Sequence, residues 1–448
     1  MTRLSFSGLI GAYPPITANH VNFMTQPTQQ APNQIQRLTQ FLRSPLFPIF
    51  MIVFVDVLGL GITIPVLPLF AQNLFSATPL QITLLQSAYF LAQFVASPQL
   101  GRMSDKVGRR PVLLLSQIGT FAAFLISGSA IGLPILYLAR IVDGLTGGNI
   151  SVAQAYLSDV TDEKNRAQGI GIVNAAFGSG FLFGPAFGAF MASQFGPRVP
   201  FFIAAVISLV TISLTFFKLP ESLTAERRAR MKPRDGAAKK SPIGVFRVPG
   251  VALLMVIAFS GQLAFFSFQS VWVLWAEKIL FAGFDPKVGQ QAIGGILSLV
   301  GFTGVLTQVF LVKPIVRRYG ERAMVAGGLF VRSIPWVLMT FLPYVALIAV
   351  AAPLISFGNG LIVPGLMAML TYLVPPGERG YAIGLAESVQ GLGRISAPLV
   401  AGLLFENVSP GAPLGFAALI GFLSAGIALA LWRMPVGRPA AKQEDGPA

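Results

Sequence analysis

Long apolar stretches separated by short polar gaps set the pattern of the chain. Twelve recur, at about 46–72, 80–100, 111–131, 133–156, 167–193, 199–218, 250–276, 290–312, 323–341, 343–372, 380–405 and 411–432. A stretch of roughly 20 apolar residues crosses a hydrocarbon core of about 30 Å as a helix. Lipid offers the backbone no hydrogen-bond partners, so each stretch must bond internally and reads as a helix, not an open strand. The pattern predicts an all-α membrane protein with twelve transmembrane helices. It breaks once, at 219–248, where eight basic residues, Arg227, Arg228 and Lys239 among them, mix with Pro and Gly. This segment is expected to link two six-helix halves, 45–218 and 249–433. Residues 1–44, polar with Gln, Asn, Thr and Pro, read as a disordered tail, and 434–448 as a second one.

The gap at 101–111 is the most informative of the short ones. It reads Gly101-Arg-Met-Ser-Asp105-Lys106-Val-Gly108-Arg109-Arg110-Pro111, between stretches 80–100 and 112–139 that carry no charge. It is expected to form a tight loop at a membrane surface, and its four basic side chains mark that surface as cytoplasmic.

Composition sharpens this reading. The 448 residues are 54% hydrophobic and 11% charged, whereas a soluble chain carries about 25% charged residues. A net charge of +15 could suggest nucleic acid, but its placement argues against that partner. Of the 32 Lys and Arg, 26 fall in tails and loops on one side, three (Arg198, Lys278, Lys287) on the other, and three (Arg140, Arg332, Arg394) inside helices. This bias predicts a multi-pass protein of the cell membrane with both termini cytoplasmic, its basic face against anionic headgroups. There is no Cys, and the one His, His20, lies in the tail. Disulfides, thiolate sites and a His-based metal site in the core are therefore excluded, and no cofactor or metal is expected. No cleavable signal peptide is evident, and Met24 is an alternative start to Met1.

The two halves look related. Shifted by 212, Gly320 falls on Gly108, Arg318 on Lys106 and Arg322 on Arg110. Shifted by 213, Arg379 falls on Arg166, Gly384 on Gly171, Gly391 on Gly178, Gly393 on Gly180 and Pro398 on Pro185. Two nearly equal offsets argue for a parallel internal repeat, the arrangement in which a substrate site lies near the bilayer midplane between halves. Asp105 has no counterpart, since Arg317 takes its place.

Several polar residues sit where lipid makes them costly. Asp56 lies about ten residues into the first stretch, about 15 Å deep by the helical rise. Such an acid usually faces a cavity or a partner and often relays protons; the alternative is a structural pair with an arginine of another helix. Arg140 and Asp143, three apart, share a face and can pair, with Ser151 and Gln154 further along it; the pair either responds to proton movement or only fixes packing. Gly180, Gly184, Pro185 and Gly188 form a small-residue groove for close helix packing, with a proline that permits a kink. Glu387, Gln390, Gly391 and Arg394 share one helical stripe, which reads as a cavity lining or as an internal ion pair. Gln262, Gln269 and Trp272, among Phe265, Phe266, Phe268 and Trp275, form a possible substrate lining, or plain packing. Arg332 shows no local partner.

The chain from about 46 to 432 resembles the twelve-helix drug/proton antiporter family of the major facilitator superfamily. Gly101–Pro111 resembles its helix 2–3 signature, Arg140-Ile-Val-Asp143-Gly144 its helix 4 signature, and Gly180–Gly188 its antiporter signature GxxxGPxxG. Asp56–Pro68, Leu136-Tyr137 before Arg140, and Trp272–Glu277 are similar to segments of tetracycline efflux proteins. The resemblance implies the major facilitator fold, two pseudo-symmetric halves and proton-driven export by alternating access. It implies a conformational latch on the cytoplasmic side built from Gly101, Asp105, Lys106, Gly108, Arg109, Arg110 and Pro111. The sequence departs from the tetracycline pumps: helix 3 has no acid, helix 8 has no His, and helix 9 has Arg332 where an acid is expected. The implied cargo is therefore a broader drug-like or amphipathic molecule.

The expected partners are a small-molecule substrate, protons and the lipid bilayer, and the expected state is a monomer. A metabolite transporter, for a sugar or organic acid, is the alternative on the same fold. A membrane sensor without transport is the alternative of another class, and the short polar tails and linker argue against it. An enzyme would need a nucleophile–base pair or metal cluster, and the sequence offers neither.

Overall fold

The computed structural model describes residues 46–161, 166–223, 250–375 and 378–433. Both expected tails and residues 224–249 of the expected linker lie outside the described residues. Among the described residues every regular element is helical.

The N-terminal half holds α1 (Leu46–Phe75), α2 (Pro79–Val107), α3 (Arg109–Gly128), a broken α4 (Leu133–Thr146 and Asn149–Val160), α5 (Arg166–Phe195) and α6 (Val199–Lys218). The C-terminal half begins with α7 (Val251–Trp275), which ends in a π-helical turn, Ala276–Leu280. Next, Pro286–Leu306 passes through a second π turn, Thr307–Leu311, into Val312–Phe341. Gly320 lies inside that last segment with φ 79° and ψ 170°, so the rod is two spans, α8 (286–319) and α9 (321–341). Then come α10 (Val345–Leu373), α11 (Arg379–Asn407) and α12 (Ala412–Leu429).

Length and hydropathy alone pick out nine helices among the described residues as able to cross a membrane. The other three spans have physical reasons for escaping that criterion. α2 is lowered by Gln81, Gln86 and Gln93 within its apolar run, α4 is broken into two short pieces, and α8 and α9 are fused end to end. All twelve spans are present.

Local chemistry sets the helix ends. Thr78 caps α2 through a capping box with Gln81, followed by Pro79 in the first turn, and the Asp285 carboxylate accepts from the Lys287 and Val288 amides at the start of α8. Both arrangements satisfy donors that a helix N-terminus leaves open.

Two expectations need correction. Residues 101–111 are not an eleven-residue loop: α2 stays helical to Val107, Gly108 alone turns the chain with φ 112° and ψ 162°, and α3 starts at Arg109. A positive φ is cheap only for glycine. Gly320, its partner in the repeat, also has a positive φ, so the repeat is visible in backbone geometry. The second correction is α4, expected as one rod over 133–156. Gly147 and Gly148 interrupt it, and Gln93 of α2 donates 3.0 Å to the Gly147 carbonyl that the break leaves open.

The halves meet mainly through α2 against α11 and α5 against α8. Cross-half hydrogen bonds run from the Leu80 amide to Glu406 (3.1 Å), from Ser87 to the Ile395 carbonyl (2.9 Å), and from Gln291 to Ser193 (3.0 Å). They sit toward the membrane face opposite the Gly108 turn. On the Gly108 side, Gly171 of α5 and Gly384 of α11 have open space in front of them. Among the described residues the cross-half hydrogen bonds thus gather on one side.

Candidate functional site

Between the halves lies a cavity of about 940 Å³. That volume suits a drug-sized ligand. α1 brings Asp56, α2 brings Gln86, Tyr89 and Gln93, and α4 brings Arg140, Asp143 and Gln154. The other half supplies Gln262, Gln269 and Trp272 from α7, Asn359 from α10 and Arg394 from α11. Aromatic rings fill the space between these polar groups. Phe90 of α2 meets Phe266 of α7 edge to face at 5.0 Å across the halves, and Phe266 meets Phe265 at 5.4 Å.

Arg140 is buried and pairs with Asp143 at 3.2 Å. The pair holds two charges at a depth where either alone would be costly. The Arg140 Nε and one terminal nitrogen remain without a hydrogen-bond partner, so the guanidinium keeps donating capacity toward the cavity. Ser151 turns away and donates to the Gly148 carbonyl at 3.0 Å, because the break in α4 ends the shared face.

The α11 stripe divides. Arg394 lines the cavity and stacks over Phe266 at 5.9 Å. Gln390 is buried behind the wall and accepts from Gln262 at 2.8 Å. Gly391 rests against Phe94 of α2. Glu387 is exposed, outside the cavity lining, and 4.0 Å from Arg394.

The small-residue run of α5 is a backbone contact with α1. A side chain on Gly184 would come within 2.8 Å of the Leu58 carbonyl oxygen, and one on Gly188 within 2.9 Å of the Ile62 Cα. Gly61 of α1 receives Pro185 in return. On its other face α5 meets α8, where Gly294 and Gly301 lie against the Pro185 and Phe181 carbonyls. Sequence reasoning passed over these two α8 glycines.

At the α2–α3 turn, Arg109 is buried and forms ion pairs with Asp105 (2.7 Å) and Asp159 (3.2 Å), and donates to Ser104 at 2.6 Å. Glu221, after α6, accepts from the Arg109 amide (2.8 Å) and the Arg110 amide (3.1 Å). A carboxylate there caps α3 and meets the positive end of its dipole. Gly108 is needed for space as well as for its φ, since a side chain would run into Glu221. Arg110 donates to the Phe216 carbonyl and covers its ring. Each of these bonds lies within the N-terminal half or joins it to Glu221 just beyond α6. Gly101 faces open space and Pro111 sits in the first turn of α3; Lys106 closes the last turn of α2.

Arg332 of α9, whose role the sequence left open, is 1% exposed. It donates to the Asn359 side chain and the Gly261 carbonyl, each at 3.0 Å. It also stacks over Trp336 at 5.1 Å and Phe265 at 5.8 Å. A guanidinium tolerates such burial because its planar face packs on rings while its edge donates. Nothing in the linear pattern links Arg332 to Asn359, nor Glu221 to Arg109, since these contacts arise only from tertiary packing.

Among the described residues no cluster of acids and histidines could hold a metal ion. The two-half cavity, the α1–α5 backbone contact and the Gly108 turn form one arrangement. The Major Facilitator Superfamily profile matches residues 49–310 and 264–447. The chain belongs to the major facilitator superfamily. Its curated relatives include the tetracycline resistance protein, class C, of Escherichia coli, 31% identical over 351 residues, covering 77% of this chain and 85% of that one. Multidrug resistance protein 2 of Bacillus subtilis (strain 168) is 28% identical over 386 residues, covering 85% and 93%. Among solved structures, the human organic anion transporter MFSD10 superposes with a TM-score of 0.63 at 22% identity, covering 86% of this chain and 98% of that one. The protein is a multi-pass secondary transporter that moves a small molecule, not an enzyme.

Proposed function

We propose that the protein exports a drug-like amphipathic molecule across the cell membrane in exchange for protons, by alternating access of the central cavity. The observation that carries this reading is an acid, Asp56, lining a large cavity rich in aromatic residues between the two halves. An intramembrane acid in such a place is the group best suited to take a proton from one side and release it to the other. The relatives named for tetracycline and multidrug resistance support export. The Arg140–Asp143 pair adjusts as the cavity changes face, and the Asp105–Arg109 cluster holds one of the two states. In this reading the Gly108 side is cytoplasmic, in keeping with the charge bias, and the protein works as a monomer.

The test uses inside-out vesicles containing the protein, an acidified lumen and a panel of amphipathic fluorescent dyes. Dye accumulates in the lumen and leaves when an ionophore collapses the pH gradient. Accumulation that ignores the gradient contradicts proton coupling.

A further inference from the structure

The first turn of α2 is short of one acceptor inside its own half. A helix N-terminus opens with amides that have no intrahelical partner. Pro79 has no N–H to satisfy. The Gln81 amide donates to the Thr78 hydroxyl at 3.4 Å, and the Ile82 amide to the Thr78 carbonyl at 3.0 Å. The Thr78 amide in turn donates to the Gln81 side chain at 3.0 Å. The Leu80 amide remains, and its acceptor comes from the other half: the Glu406 carboxylate, 326 residues away in sequence, at 3.1 Å.

Glu406 is misplaced for its own helix. It sits in the last turn of α11, one residue before the end at Asn407, where the helix dipole is negative and favours a cation. That turn holds no basic residue. The carboxylate instead meets the positive end of α2 across the seam between the halves. Gly402, one turn earlier, permits the approach, since a side chain there would come within 2.9 Å of the Leu80 Cα. Farther along the same helix pair, Ser87 donates to the Ile395 carbonyl at 2.9 Å. A residue that breaks a local rule in its own helix and completes the cap of another has its compensation in the contact between halves.

We propose that Glu406 is the gating carboxylate of the membrane face opposite Gly108. By completing the α2 cap from the C-terminal half it holds that face shut, and the face opens when the bond is released. This rests on alternating access of the two halves and adds the residue that sets the balance between the two states. Glu406 is exposed, so water takes its place at the Leu80 amide when the helices part. The bond therefore biases the equilibrium without locking it. Loss of a capping side chain shifts such an equilibrium about fivefold.

The test uses the full chain, which has no native Cys, with Leu67→Cys as the reporter. Leu67 lines the cavity from the last third of α1 and is 4% exposed. An impermeant thiol reagent is applied to intact cells and to inside-out vesicles, and the labelled fraction of the purified protein is followed in time. Glu406→Ala labels about fivefold faster than the parent from outside, and more slowly from inside. Glu406→Gln, which keeps an acceptor without the charge, shifts less. Glu406→Lys, which suits the end of α11 and repels the start of α2, shifts most. A residue that only finished its own helix would leave the rate unmoved in Glu406→Lys. An outside rate that does not rise in Glu406→Ala and Glu406→Lys, or a rate raised from both sides alike as in a loosened chain, would overturn the proposal. Dye export under a pH gradient separates the two claims. Shifted labelling without gradient-driven export keeps the gate and removes the exporter; gradient-driven export with unshifted labelling does the reverse.

Discussion

At the scale of single residues, burial decides how much each polar group can be asked to do. Asp56, Arg140, Asp143 and Arg394 stood out in the sequence because a charge inside an apolar run is costly, and all four line one cavity. Glu387 shared that signal and sits outside it, because a stripe on one helix does not reveal which neighbour it faces. Arg109 is the reverse case. It looked like a surface charge in a polar gap, yet it is 6% exposed, held by Asp105, Asp159 and Ser104. Replacing Asp105 by Asn removes one of the two carboxylate charges paired with this guanidinium while keeping the side chain's shape. The expected outcome is reduced flux at near-normal abundance, because the bond biases a two-state equilibrium more than it holds the chain folded. Transport at the parental rate in Asp105→Asn would rule out a role in holding either state.

At the scale of elements, the helices were legible because each had to satisfy its own backbone in lipid. Their interruptions were not. The Gly147–Gly148 break depends on Gln93 from another helix, and the one-residue turn at Gly108 depends on Glu221 from beyond α6. Local pattern carries no trace of either partner. The GxxxGPxxG run is the opposite, since small residues at four-residue spacing announce a close contact; only the partner, the backbone of α1, was missing. Gly184→Val forces branched carbons against the Leu58 carbonyl. Overpacking of this kind costs about 1–3 kcal/mol or more. The variant is expected to lose transport with a lowered melting temperature in detergent, measured by thermal unfolding of the purified protein. An unchanged melting temperature would contradict the backbone contact.

At the scale of the whole molecule, the two halves and their 212-residue offset were readable in sequence, and Gly108 and Gly320 repeat it as two positive-φ turns. Which side the halves close on was not readable, because alternating access gives one sequence two arrangements. On the proposed topology the Gly108 side faces the cytoplasm. With no native Cys, Arg230→Cys offers a single reporter: it is expected to escape an impermeant external thiol reagent in intact cells and to react in inside-out vesicles, and labelling from outside would invert the topology. The closed side can be pinned. Gly402 of α11 packs directly on Thr83 and Leu80 of α2, so paired Thr83→Cys and Gly402→Cys should cross-link under oxidation, stop transport, and recover on reduction. Continued transport by the cross-linked protein would contradict a cycle in which this side opens.

The central claim is that Asp56 couples the movement of substrate to that of protons. Asp56→Asn keeps shape and polarity but cannot exchange a proton. The deciding measurement compares, in proteoliposomes, uphill export under an imposed pH gradient with equilibrium exchange in its absence. The account predicts that Asp56→Asn loses the uphill flux and retains exchange. Uphill export at the parental rate, with the parental dependence on pH, would contradict it and move the coupling to Asp143 or Glu387.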